Sequence, residues 1–330
     1  LKSIVEQAKQ KKRKIVLPES NDIRVIEAAN IIQQENIADV ILIGDKEEII
    51  RLCHAKNIYN LDENITVINP NTSEKYEVYV NELYNLRKQK GMTYENAQKL
   101  ILDNVYFATM MVKLDEADGM VSGAVHSTSD TLRPALQIIK SKQEIKTVSA
   151  FFIMETKYKN FGENGVFLFA DCGLNPFPDE EQLCDITIES AKSFRKLVKE
   201  EPKVAFLSYS TKGSAKSEAI DKTVRVVNIL KNMQLDFDVD GELQLDSAIV
   251  PEVAALKAPE SKVAGKANIL IFPDLQSGNI GYKIAQRFGN MLALGPITQG
   301  LNKPINDLSR GCSAKDIVGA VAITCMQVDK

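Results

Sequence analysis

The sequence predicts an α/β protein made of two three-layer α/β/α domains with mostly parallel sheets. Three observations predict it. Apolar runs of strand length alternate with amphipathic runs of helix length along almost the whole chain. At 330 residues the chain is long for a single hydrophobic core. Two stretches break the alternation: charged SKQEIK at 141–146 and Gly/Pro-rich LGPITQGLNKP at 294–304. Strands regularly separated by helices imply parallel sheets covered on both faces.

Taken in order, KIVLPE (14–19) reads as a buried strand and Asp22–Glu35 as an amphipathic helix. ADVILIGD (38–45) is the next strand, and KEEIIRLCHAK the next helix. NITVINP (64–70) is a strand, followed by two long helices around Glu74–Lys90 and Tyr94–Glu116. GMVSGA (119–124) ends in small residues, and TLRPALQIIK opens a helix with Arg133 and Pro134 in its first turn. After Lys146 the strands are TVSAFFIM, GVFLFAD, KVAFLSYS, LDFDVD and ANILIFP. Helices near Pro178–Lys199, Ser217–Met233, Asp246–Leu256 and Asn279–Leu294 separate most of them. If both interruptions are boundaries, the last helix returns to the first domain and leaves a cleft; pattern alone does not fix that return.

Composition removes whole classes of function. A net charge of −3 and a pI near 5.7 give no basic stripe for nucleic acid. No apolar run reaches the roughly 18 residues of a membrane span. The opening LKSIVEQAKQKKRKIVLPES has no apolar signal core, and because it starts with Leu a trimmed N-terminus is expected. Five scattered cysteines (Cys53, Cys172, Cys184, Cys312, Cys325) without a CxxC pair suit reduced thiols and a cytoplasmic protein. With only His54 and His126, His-rich metal sites are excluded, and no metal is expected. Neither GxGxxG nor GxxxxGK[ST] occurs. Asp236, Asp238, Asp240 and Gly241 copy the opening of a calcium loop, but Ser247 stands where its bidentate Glu belongs, and the stretch alternates like a strand.

Two loops and a helix start carry chemistry. In VSGAVHSTSDTLRP (121–134) a strand runs into Ser127, Thr128, Ser129 and Thr131, beyond the strand's carboxyl end where α/β ligands sit. One hydroxyl suffices to cap a helix; four favour an anion site. SYSTKGSAKSE (208–218) repeats the design, and an anion site and a flexible loop both fit it. Ser313 and Asp316 have capping-box spacing before the apolar run IVGAVAIT, so Asp316 is either a cap or a working carboxylate. A cap leaves Arg310 without a task, whereas its planar fork suits an oxyanion or phosphate. Gly311 lets the backbone turn sharply behind it.

These motifs, with FADCGLNPFPDEEQL, LRKQKGMTYENA and AQRFGNMLALGPITQGLNKPINDLSRGCSAKDIV, resemble the phosphate acetyltransferase (phosphotransacetylase) family over essentially the whole chain, in its short single-module form. The resemblance implies domains at 1–144 plus 297–330 and at 145–296, with the site in the cleft between them. It also implies a homodimer and reversible transfer of acetyl between CoA and inorganic phosphate, with acetyl-CoA, phosphate and acetyl phosphate as substrates. No tightly bound cofactor is expected, and stimulation by a monovalent cation is left open. By the same resemblance, Asp316 would take the CoA thiol proton, Arg310 would steady the tetrahedral oxyanion, and Ser309 would hydrogen-bond there. Arg87 and Arg133 would hold CoA, and Arg287 would belong to the site. Ser127, Thr128, Ser129 and Thr131 are candidates for the phosphoryl or carbonyl end.

A thiol of pKa about 8.5 giving its proton to a carboxylate of about 3.9 moves uphill by roughly 4.6 pH units, or about 6 kcal/mol. A tight Arg310–Asp316 pair would widen that gap, so Arg310 is expected to point to the substrate and not to be locked onto Asp316. Cys312 beside an arginine is a rival nucleophile, disfavoured because only His126 could serve as its base and CoA already brings a thiol. A phosphate butyryl- or propionyltransferase and a non-catalytic acyl-CoA-sensing module remain as alternatives, the latter disfavoured by the presence of Ser309, Arg310 and Asp316 together. A dehydrogenase of similar architecture lacks its glycine fingerprint here.

Overall fold

Ile15, Val16 and Leu17 are fully buried, which places their strand inside a sheet covered on both faces. The computed structural model describes residues 2–59, 61 and 65–329. It forms two compact units: residues up to 142 with those from 301 onward, and residues 143–300. The first unit opens with α1 (Lys2–Lys9), β1 (Lys14–Leu17), α2 (Ile23–Gln34), β2 (Asp39–Ile43), α3 (Lys46–Ala55) and β3 (Thr66–Ile68). Asp22 caps α2 and Asp45 caps α3, each accepting N–H groups of the first turn. The strand expected at 64–70 is shorter, and Asn64 lies outside the described residues.

α4 (Tyr76–Arg87) tightens into a 3-10 turn at Lys88–Lys90. The single helix expected at 94–116 is instead two, α5 (Tyr94–Ile101) and α6 (Asn104–Lys113). Asp103 restarts the chain by accepting the N–H groups of Val105 (2.9 Å) and Tyr106 (3.1 Å), a cap hidden inside continuous apolar periodicity. β4 (Gly119–Ser122) and α7 (Thr128–Pro134) follow, then a π turn at Ala135–Ile139.

The second unit contains β5 (Ser149–Glu155), β6 (Val166–Ala170), α8 (Glu180–Val198), β7 (Lys203–Leu207), α9 (Glu218–Asn232) and β8 (Asp238–Leu243). α10 (Leu245–Ile249), α11 (Pro251–Lys257), β9 (Ile269–Ile271), α12 (Leu275–Arg287) and β10 (Leu292–Gln299) complete it. Its six-stranded sheet has the order β10-β5-β6-β9-β7-β8, antiparallel on both sides of β5 and parallel from β6 onward. Phe152, Phe169, Leu270 and Phe272 fill the core on one face, with Phe152 stacked on Tyr282 at 3.9 Å. The calcium-like stretch is strand β8, where Asp240 is taken by Lys212 (2.6 Å) and Lys231 (2.7 Å).

The helix expected at 246–256 is broken where Pro251 starts α11, because proline belongs in a first turn and not in a helix interior. The candidate boundary at 294–304 holds edge strand β10 in its first half, and the two units divide between 300 and 301. An irregularity between Leu294 and Ile297 accommodates Pro296, which an edge strand tolerates and a central strand would not. Ile297 and Gln299 still pair with Phe151 and Ser149, so the second unit keeps the chain past 297.

The chain then adds β11 (Ile305–Asp307) and α13 (Ala314–Gln327) to the first unit. The first sheet has the order β11-β4-β1-β2-β3, parallel throughout. α13 buries Ile317, Val321 and Ile323 and packs on α1, α2 and β4. Among the described residues, no helix is long and apolar enough to cross a membrane.

Candidate active site

Three adjacent strands, β1, β4 and β11, deliver loops at their carboxyl ends, the edge of a parallel sheet where ligands bind. Beyond β1 stands Glu19, only 2% exposed. Its carboxylate accepts the backbone N–H groups of Gly123 (2.8 Å), Ala124 (2.8 Å), Val125 (2.9 Å) and His126 (2.8 Å). His126 Nδ1 lies 2.8 Å from the same group. A buried charge is tolerable only with such partners, so Glu19 and the loop 123–126 fix each other. His126 is thereby occupied with Glu19.

The wound loop presents the hydroxyl residues. Ser127 is the cap of α7: its Oγ accepts the Asp130 N–H (3.2 Å) and donates to Asp130 Oδ2 (2.6 Å). Thr128 Oγ1 donates to Oδ2 of Asp307 at 2.6 Å. Ser129 is exposed, and Thr131 is fully buried, its hydroxyl near enough to Asp307 to draw that carboxyl down. Arg133 and Pro134 close α7 instead of opening it, because Ser127 starts the helix four residues earlier than TLRP suggests. Arg133 is exposed on this last turn, with Nη2 3.9 Å from Asp130.

Asp307 ends β11, and Ser309 and Arg310 stand exposed two and three residues later. Ser313 and Asp316 form a complete capping box at the start of α13. Asp316 Oδ2 accepts both the N–H and the hydroxyl of Ser313 at 2.8 Å, and its Oδ1 makes no hydrogen bond among the described residues. Capping therefore consumes one carboxylate oxygen and leaves the other open. Arg310 is not paired with Asp316, and its guanidinium has no ion pair among the described residues.

Arg24, in the first turn of α2, holds this backbone in place. It donates to the carbonyls of Arg310 (2.7 Å), Cys312 (3.0 Å) and Ala124 (2.8 Å) while pairing with Asp22 (2.7 Å). The hydrogen bond from the Arg24 guanidinium, with its charge, keeps the Asp22 carboxyl below its usual range. Cys312 is buried, and burial pushes its thiol up to about 11 even with the Arg24 cation near it, so it is no activated thiolate. Burial also raises Asp307 to about 6, against the pull of the Thr128 and Thr131 hydroxyls and with the Glu19 charge adding to it. Glu19, Arg24 and Asp307 escaped the sequence reading; an acidic residue ending a buried strand, as in LPES and IND, is the one signal for two of them.

Arg87 closes α4 and lines a cavity of about 330 Å³ with Lys90, Met92, Asn96 and Lys99. Its Nε is buried without a hydrogen-bond partner among the described residues. Burial raises the Tyr106 hydroxyl, and both Arg133 and Arg87 act to lower it, so the two arginines share one neighbourhood. Arg287 closes α12 and belongs to the second unit. The loop 208–218 is also there, and it is wired internally: Ser210 Oγ (2.9 Å) and the Gly213 N–H (2.7 Å) both serve Glu242, and Lys212 serves Asp240. Among the described residues no group of three His, Cys, Asp or Glu could hold a metal.

Comparison with known proteins places the chain in a family. A family model described as phosphate acetyl/butaryl transferase matches residues 1–325. A phosphate acetyltransferase of Thermoanaerobacterium thermosaccharolyticum is 53% identical over 327 residues, covering 99% of this chain and 98% of the relative. One from Clostridium acetobutylicum is 52% identical over 331 residues, covering 100% and 98%. The crystal structure of a phosphotransacetylase from Streptococcus pyogenes, 45% identical, superposes with a TM-score of 0.91 over 99% of this chain and 98% of that one. With a match that leaves almost no residue outside it, the chain belongs to the phosphate acetyl/butaryl transferase family.

Proposed function

We propose that the chain is a phosphate acetyltransferase, moving an acetyl group reversibly between CoA and inorganic phosphate by direct displacement in a ternary complex. One observation carries the reading: relatives of that name match end to end at half identity, and the loop of this chain holds Ser309, an unpaired Arg310 and an Asp316 with one open oxygen. In the acetyl-CoA-forming direction the CoA sulfur attacks the carbonyl carbon of acetyl phosphate. The S–C bond forms as the thiol proton passes to Asp316 Oδ1, and the C–O bond to phosphate then breaks. Because the free thiol-to-carboxylate transfer is uphill by about 6 kcal/mol, it has to accompany bond formation and not precede it.

Arg310 faces the oxyanion of the tetrahedral centre, and Ser309 bonds beside it. Arg87 and Arg133, which share the field of Tyr106, hold CoA phosphates; Arg287 joins the site; Ser127, Thr128, Ser129 and Thr131 meet the phosphoryl or carbonyl end. No redox step is needed, so the reading requires no tightly bound cofactor and leaves a monovalent cation as a possible aid. It extends to a cytoplasmic homodimer: all five cysteines are free thiols, and Ile280, Ile284 and Phe288 expose an apolar stripe along α12 suited to a second copy.

Phosphate-dependent release of CoA thiol tests the reading. Acetyl-CoA should release thiol only when phosphate is added, and propionyl- and butyryl-CoA should be poorer. One methylene changes binding by only about 1–3 kcal/mol, so a preference for butyryl-CoA would make this a butyryltransferase on the same machinery. Release from none of the three would leave an acyl-CoA-sensing module.

A further inference from the structure

Thr128 has one hydroxyl proton, and it points at Asp307: Oγ1 donates to Oδ2 at 2.6 Å, a charge-assisted length. The receiving carboxylate is 2% exposed, and burial sets it at about 6, so above neutrality it is ionised and keeps the proton directed at itself. Among the described residues Thr128 makes the one well-formed hydrogen bond to this carboxylate; the buried Thr131 hydroxyl pulls on it more weakly, and Asp307 Oδ1 and the Ser122 hydroxyl are buried beside it. Ser122 stands opposite Asp307 in the β4–β11 pairing.

Asp307 also has no room to swing away. Gly123, at φ +108°, lies flush against it: a Cβ there would come within 2.3 Å of Asp307 Oδ1 and 2.5 Å of the Leu308 nitrogen. The hydroxyl of Thr128, an exposed residue, therefore offers a ligand only its lone pairs. An oxygen that can only accept attracts an oxyanion that brings its own proton and repels one that does not. Monohydrogen phosphate carries a P–OH group above neutrality, whereas sulfate carries none.

We propose that Asp307 is a positioning residue that fixes Thr128 as a hydrogen-bond acceptor for the remaining proton of phosphate, so that the site selects phosphate over sulfate. The proposal rests on the reading above, which puts Thr128 at the phosphoryl end. Its consequence concerns affinity for the two anions and not turnover, because neither residue is asked to touch the migrating proton of the thiol.

The test measures phosphate-dependent thiol release from acetyl-CoA above neutral pH, with sulfate as competitor, and takes the ratio of the sulfate inhibition constant to the phosphate KM. In Asp307→Asn the amide can donate to Thr128 and free its proton for the ligand, so the ratio should fall about tenfold or more through tighter sulfate binding. In Thr128→Val, an exposed change that keeps the test alive if the buried Asn folds poorly, the ratio should fall about tenfold through a higher phosphate KM. Thr128→Ser, which keeps the hydroxyl, should hold the wild-type ratio, and kcat should move less than either constant. Wild-type activity with the ratio unchanged to within about twofold in Asp307→Asn or in Thr128→Val overturns the assignment of Asp307 alone. Absence of phosphate-dependent release in the wild type overturns the acetyltransferase reading and this proposal with it.

Discussion

Cys312 and Asp316 lie four residues apart, and their surroundings give them opposite capacities. Burial holds the Cys312 proton on at about 11, while the open Oδ1 of Asp316 can receive one. Asp316→Asn keeps a side-chain oxygen for the Ser313 cap, so the fold should lose no more than about 1 kcal/mol. Its amide cannot take a thiol proton, and kcat should fall by about 10²–10⁴ as circular dichroism stays unchanged. Cys312→Ala should hold kcat within about threefold, since a thiol that stays protonated makes a poor nucleophile. Abolished turnover in the Cys312 variant would instead support an acetyl-enzyme. Arg310 was legible at this scale because the cap left it idle, and its guanidinium has no ion pair among the described residues. Arg24 was not, because its work is done on the carbonyls of residues 310 and 312, nearly three hundred positions away.

The loop between β4 and α7 owes its shape to a residue on another element. Glu19 has two oxygens, each receiving two backbone N–H groups at 2.8–2.9 Å. Glutamine has the same length but one oxygen, so Glu19→Gln would press an NH₂ group against two N–H donors inside a buried site. The loss should be about 3–5 kcal/mol, read as a lower urea midpoint at constant slope, and activity should suffer in whatever protein remains folded. A midpoint equal to wild type would mean the cradle is not what holds the loop. Local pattern carried most elements: continuous apolar runs of strand length gave β1, β2, β5, β6 and β7, and amphipathic runs gave α2, α8 and α9. It failed where tertiary position overrides local signal. Pro296 reads as part of a domain boundary but sits at an irregularity in an edge strand, and three-residue β11 is too short to stand out as a strand. The Glu19 cradle joins residues more than a hundred apart, and no local period encodes that pairing.

Across the whole molecule, two carboxylates give the pH–stability curve opposite slopes. Burial drives Asp240 up, but hydrogen bonds from Lys212 and Lys231 outweigh it and bring the group to about 2. Its folded value is below the unfolded one, so its stabilisation is present above about pH 4 and is lost as pH falls through about 2. Asp307 runs the other way. Its folded value of about 6 exceeds the unfolded value of about 3.9, so its contribution is complete below about pH 4 and is lost as pH rises through 6. The difference is at most about 3 kcal/mol between pH 4 and pH 7. Asp307→Asn cannot ionise and so removes that slope. The stability of the Asn variant relative to wild type should therefore climb by about 2–3 kcal/mol from pH 4 to pH 7, as urea unfolding at each pH would read. A constant gap would mean that Asp307 titrates alike in the folded and unfolded chain. A rising gap would identify a buried charge maintained against stability, which is what a group kept for orienting Thr128 toward phosphate should cost.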